Sequence, residues 1–129
     1  MKSFQLLGAA FLFLAMVLAA MSSHLIYPYL EAHDIRAFQT ALFFQMIHAL
    51  ALLLIPKVLE LKPVQTRVLG VMWSLGILGF CFAIFLLKIG LARDFQSVEM
   101  IGPVTPYGGA LLILSWLALF VFILQNRRS

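Results

Sequence analysis

Within a long run of apolar residues, two side chains carry chemical potential. Gln45 and His48 lie three positions apart inside the stretch 37–55, a spacing that sets both on one face of a helix. An imidazole at such depth can relay a proton, bind a ligand or ligate a haem iron. The same pair can instead bridge helices through hydrogen bonds worth about 0.6–2 kcal/mol each. Thr40, with Gln39 beside it, adds polar groups nearer the start of the same helix. A neutral buried imidazole needs one donor and one acceptor, and Ser74, Ser115 and the Trp116 indole are the candidate partners.

The remaining histidines limit the haem reading. His24 closes the first apolar run and His33 lies in the loop after it. At 1.5 Å per residue, His48 sits roughly 18 Å below the start of its helix. One iron is therefore not reached by both His24 and His48, and a haem would need a ligand from another chain. No cofactor is expected. His24, Glu31, His33 and Asp34 are metal-capable types within eleven residues, but their spacing matches no established ligand pattern, so no metal site is expected and His24 stands as an outer-face candidate only. Ser22 and Ser23 neighbour His24 without an orienting third group. With no catalytic constellation, a non-enzyme is expected. Cys81, the one cysteine, cannot form an internal disulfide or a CxxC site and reads as a small packing residue.

The elements that must position these residues are hydrophobic helices. Of 129 residues, 64% are hydrophobic and 11% charged, against about 45–50% and about 25% in soluble domains. Four apolar runs, approximately 4–23, 37–55, 68–87 and 107–124, each approach the ~20 residues that cross a bilayer core. The expected architecture is all-α: an integral membrane four-helix bundle, up-down-up-down, in one transmembrane domain over 1–129. The first run, with Lys2 before it and Ala19, Ala20, Ser22 and Ser23 at its end, also resembles a signal peptide; its length favours a retained helix.

The net charge of +4 invites a nucleic-acid partner, but no basic stripe interleaves with aromatics, and that partner is excluded. The basic residues follow the positive-inside bias instead. Lys2, Lys57, Lys62, Arg67, Arg127 and Arg128 fall on one side, with Glu60, for +5; Arg36, Lys88 and Arg93 fall on the other, with Glu31, Asp34, Asp94 and Glu99, for −1. Both termini are expected in the cytoplasm.

Helix punctuation agrees with the runs. Asp34 is a candidate N-cap of the second helix. Thr105 and Pro106 read as an N-cap and first helical residue of the fourth. Pro56 and Pro63 bracket the second loop. Tyr27, Tyr29, Trp73 and Tyr107 read as an aromatic belt near helix ends. Small residues recur at interface spacing: Ala15, Ala19 and Ser23, then Gly76, Gly79 and Ala83, then Gly108, Ser115 and Ala118. Lipid provides no hydrophobic drive between helices, so close approach at such positions holds a bundle together.

Three stretches together resemble a known family. Phe38 to Leu52 follows a pattern F-x-T-x-x-x-Y-Q-M-x-H-A-L-A-L through Phe38, Thr40, Gln45, Met46 and His48. Gly102, Pro103, Thr105, Pro106, Gly108 and Gly109, with Trp116 beyond, are similar to a G-x-I-T-P-L-G-G start of the last helix. His24 falls where a G-A-H-G-L motif ends the first. The family is domain of unknown function 423, small inner-membrane proteins related to transmembrane protein 256. Ser22 and Ser23, Phe43 and Phe44, and Cys81 to Ala83 depart from its pattern, as in a divergent member. The resemblance implies a four-helix protein of the bacterial inner membrane and, by the family's name, no established activity.

Three functional readings follow: a non-enzymatic packing or accessory subunit, with lipid, other membrane subunits or a second copy as partners; an oligomeric small transporter or channel lined by Gln45 and His48; and a redox or quinone-handling membrane anchor.

Overall fold

Long apolar runs with few breakers build four rods. The computed structural model describes residues 2–92 and 101–128. Helix α1 covers Lys2–Leu25, and a single 3₁₀ turn, Tyr27–Tyr29, leads into α2, Ala32–Val58. The third rod is composite: α3 (Pro63–Gly76) passes into a π-helical stretch (Ile77–Phe82) and then α4 (Ala83–Ala92). Helix α5 covers Thr105–Arg127. All four rods are long and apolar enough to span a membrane, over Lys2–Leu25, Ala32–Val58, Pro63–Gly90 and Ile101–Arg127. The all-α four-helix bundle read from the sequence is the fold observed.

The connections alternate between the two ends. At one end Gln5 Nε2 donates to the Leu53 carbonyl at 3.4 Å, and the amides of Gln65 and Asn126 exchange hydrogen bonds of 3.2 and 3.1 Å. The start of α1, the α2–α3 turn and the end of α5 therefore lie together. At the other end Lys88 Nζ meets Asp34 Oδ1 at 2.6 Å, joining the start of α2 to α4. The tight turn has a physical cause: Glu60 adopts φ 48°, Glu60 N–H donates to Lys57 O and Leu61 N–H donates to Pro56 O. This is the left-handed C-cap arrangement usually given to glycine.

Small residues set the packing. Helix α1 buries Gly8, Phe11, Ala15 and Ser22; a Cβ on Gly8 would lie 2.8 Å from the Ala49 carbonyl oxygen of α2. Helix α5 seats Gly108 directly on the backbone of Gly79 and Phe80. Between these contacts Trp73, Phe38, Phe85, Leu52, Leu69 and Ile77 fill the centre, with the Phe38 and Phe85 rings 4.9 Å apart.

Several local expectations are corrected. Asp34 does not cap α2; Glu31 occupies that position, and the Asp34 carboxylate pairs with Lys88 instead. Thr105 does not cap α5 either: Val104 precedes the helix, and the buried Thr105 hydroxyl has no partner among the described residues. Pro56 lies inside the last turns of α2 rather than in the loop, two residues before the helix ends, and it removes one i→i−4 donor there. The buried serine of α1 is Ser22, while Ser23 is exposed, because the packed face drifts by one residue along the helix. Trp73 is a core residue, fully buried, and not part of a belt. Arg93, Asp94 and Glu99 lie outside the described residues.

Candidate functional site

The α2 face that carries Gln45 and His48 splits its two polar groups between neighbours. Gln45 is fully buried and its Nε2 donates to the Phe11 carbonyl of α1 at 2.7 Å; Oε1 has no partner among the described residues. His48 points the other way, toward α5. The Trp116 indole N–H donates to His48 Nε2 at 2.9 Å, and His48 Nδ1 lies 2.6 Å from the Phe44 carbonyl one turn earlier. An indole N–H only donates and a carbonyl only accepts. The imidazole is therefore neutral, protonated on Nδ1 and accepting on Nε2.

Of the three partners considered for His48, Trp116 is the one that reaches it. Ser74 Oγ donates back to the Gly70 carbonyl at 2.6 Å and Ser115 Oγ to the Leu112 carbonyl. Such back-bonding is open to any helical serine. Thr40 is exposed near the start of α2 and is not brought to Gln45 or His48. His24 is exposed at the end of α1, while His33 lies 3.4 Å from Glu31 and 3.3 Å from Asp34. Among the described residues no three such side chains converge to hold a metal ion.

Beside the His48–Trp116 bridge lies a cleft of about 490 Å³, lined by Phe44, Ile47 and His48 from α2, Phe80 from the π-helical stretch, and Gly109, Leu112, Ile113 and Trp116 from α5. Phe80 stacks on Phe44 with ring centres 5.2 Å apart. Trp116 also contacts Trp73, centre to centre 5.8 Å. Gly108 and Gly109 let α5 sit close enough to the third rod for these rings to meet; a Cβ on Gly109 would stand 3.2 Å from the Phe80 ring. Gly102 and Pro103 lie in a short 3₁₀ turn ahead of α5, and Pro106 opens its first turn. The cleft was not visible in the sequence, whose one signal was the recurrence of Gly79, Gly108 and Gly109.

The family described as "Protein of unknown function (DUF423)" matches residues 18–109. The chain belongs to the DUF423 family. That segment runs from the end of α1 to the Gly108–Gly109 seat of α5, so it contains Gln45, His48 and Phe80 and stops before Trp116. Among curated relatives, a UPF0382 membrane protein of Staphylococcus aureus (strain bovine RF122 / ET3-1) is 27% identical over 121 residues, 94% of each chain. One from Staphylococcus saprophyticus subsp. saprophyticus is 29% identical over 94% of this chain and 96% of its own. Another, from Staphylococcus epidermidis (strain ATCC 12228 / FDA PCI 1200), is 28% identical over 97% and 98%. No solved structure matches. This DUF423 chain is thus a small membrane protein, similar along nearly its whole length to relatives named for the membrane alone.

Proposed function

We propose that this protein is a non-enzymatic component of the inner (plasma) membrane, an accessory subunit that packs against lipid and other membrane proteins with both termini in the cytoplasm. The observation that carries the reading is the closure of His48: its Nε2 accepts from Trp116 and its Nδ1–H is held by the Phe44 carbonyl. The one imidazole at depth thus braces helices, and no nitrogen is left for a reacting group. Gln45, Ser74 and Ser115 likewise hydrogen-bond to backbone carbonyls of their own chain. The cytoplasmic placement rests on the basic side chains Lys2, Lys57, Lys62, Arg67, Arg127 and Arg128, whose segments the Gln5 and Gln65 contacts gather at one end.

An oligomeric pore would need Gln45 and His48 turned toward a neighbouring copy, whereas Gln45 is enclosed by its own chain. A haem anchor would need His48 Nε2, which Trp116 already engages.

Extraction of native membranes in mild detergent tests the proposal. A membrane protein that co-purifies in fixed ratio is expected; recovery of this chain only as a free monomer overturns it. Cysteine introduced at Ser3 should react with impermeant maleimide only in inverted vesicles.

A further inference from the structure

On the exposed side of α2, the wall of the cleft begins at Phe44, one turn after Thr40. At the outer end of that face Arg36, Gln39, Thr40 and Phe43 line a second, shallower hollow of about 310 Å³. Below it Phe44, Ile47 and His48 wall the larger cleft. The spacing 36, 40, 44, 47 keeps one side of a helix, while Gln39 and His48, about two and a half turns apart, flank it on opposite sides. Eleven residues of rise separate Arg36 from Ile47, roughly 16 Å, close to the ~15 Å depth of one leaflet's hydrocarbon. With Arg36 set at headgroup level, this side of α2 is polar and cationic there and apolar at the depth of the acyl chains.

Among the described residues the polar end is unengaged. Arg36, Gln39 and Thr40 are exposed and make no hydrogen bond or ion pair with the described residues, whereas Lys88, at the same end, is neutralised by Asp34. Gln39 and Thr40 stand seven and eight residues beyond Ala32, the first residue of α2, which puts them about 11 Å along the helix. Polar groups at that level need a partner, and a guanidinium with adjacent amide and hydroxyl donors suits a phosphate diester.

We propose that this side of α2 binds one phospholipid, its phosphate held by Arg36, Gln39 and Thr40 and one acyl chain lying in the cleft against Phe80 and Trp116. The charge of Arg36 favours an anionic headgroup. Lipid docking rests on the reading of a chain that packs rather than reacts. Its test uses vesicles without any partner protein, so failed co-purification and a failed lipid site are told apart.

The protein carries its own reporter, because Trp116 lines the cleft and the other tryptophan, Trp73, is fully buried. The full chain is reconstituted in phosphatidylcholine vesicles containing a small share of phosphatidylglycerol brominated on its acyl chains. Quenching of tryptophan fluorescence above the level of random lipid mixing is expected. Arg36→Gln should return it to that level, while Lys57→Gln, a charge removed at the opposite end, should leave it unchanged; unaltered helicity in both variants excludes misfolding. Soluble glycerol phosphate, which has the headgroup chemistry without chains, should not displace the lipid. Random-level quenching of the unaltered chain, as a protein helix seated in the cleft would give, overturns the proposal. So does full quenching in Arg36→Gln, or displacement by glycerol phosphate.

Discussion

Trp116 and His48, 68 positions apart in the chain, meet through an indole N–H that donates to the imidazole Nε2 at 2.9 Å. Their ring centres lie 5.7 Å apart. This hydrogen bond ties α2 to α5 beside the cleft that both side chains line. A polar bridge between membrane helices is worth only about 0.6–1.7 kcal/mol, but it also fixes which nitrogen of His48 carries the proton.

Trp116→Phe keeps the ring and removes the donor. It should lower unfolding free energy by about 1–3 kcal/mol, the cost of leaving a buried acceptor unmet, measured by steric trapping in bicelles. In a double-mutant cycle with His48→Ala the coupling should be about 0.6–1.7 kcal/mol. Additive losses would show that the two side chains do not interact.

Gln45→Leu should cost less than about 1 kcal/mol. It removes the bond to Phe11, whose net worth is about 0.5–1.5 kcal/mol, and also removes the unmatched buried Oε1, which offsets part of that loss. The Phe11 carbonyl keeps its place in the α1 ladder. A fold that holds while a cellular phenotype disappears would make Gln45 a working residue and not a brace.

Four apolar runs of membrane length are legible in this sequence because each exceeds what a soluble helix can hide, and the termini of the helices then differ only by a few residues. The Trp116–His48 contact was within reach too, since few donors existed for a deep imidazole. Ser74 and Ser115 were equal candidates only because sequence says nothing of which way a hydroxyl turns. The π-helical stretch left no trace: apart from Gly79, Ile77–Phe82 is apolar throughout, so an extra residue in the turn shifts no polar position. Phe80, and with it the cleft, depended on that turn. Asp34 looked like a cap because the depth of Lys88 could not be known before the third rod was placed.

Gly108→Ala should destabilise the bundle by about 1–3 kcal/mol, the usual effect of overpacking, because its Cβ would meet the backbone of Gly79 and Phe80. Gly102→Ala should be near neutral, with nothing within 4 Å of the added atom. Thermal unfolding in detergent compares the two, and equal losses would contradict the close α5 contact.

The Asp34–Lys88 pair has side chains only 13% and 15% exposed. Lys88→Met should cost about 1.5–3 kcal/mol by stranding a charge-assisted hydrogen bond. Adding Asp34→Leu should recover most of it, since removing both charges also removes their desolvation. Chemical denaturation in micelles of the single and double variants reads the difference.

The deep histidine is expected to brace helices and to do no chemistry. Nitrogen-15 NMR of the histidine-labelled protein in bilayers tests this most directly, with His48→Asn to assign the signal. The expected spectrum shows a neutral ring, protonated at Nδ1, with Nε2 shifted as a hydrogen-bond acceptor and that shift lost in Trp116→Phe. A ring protonated at Nε2, or an imidazolium, would contradict it.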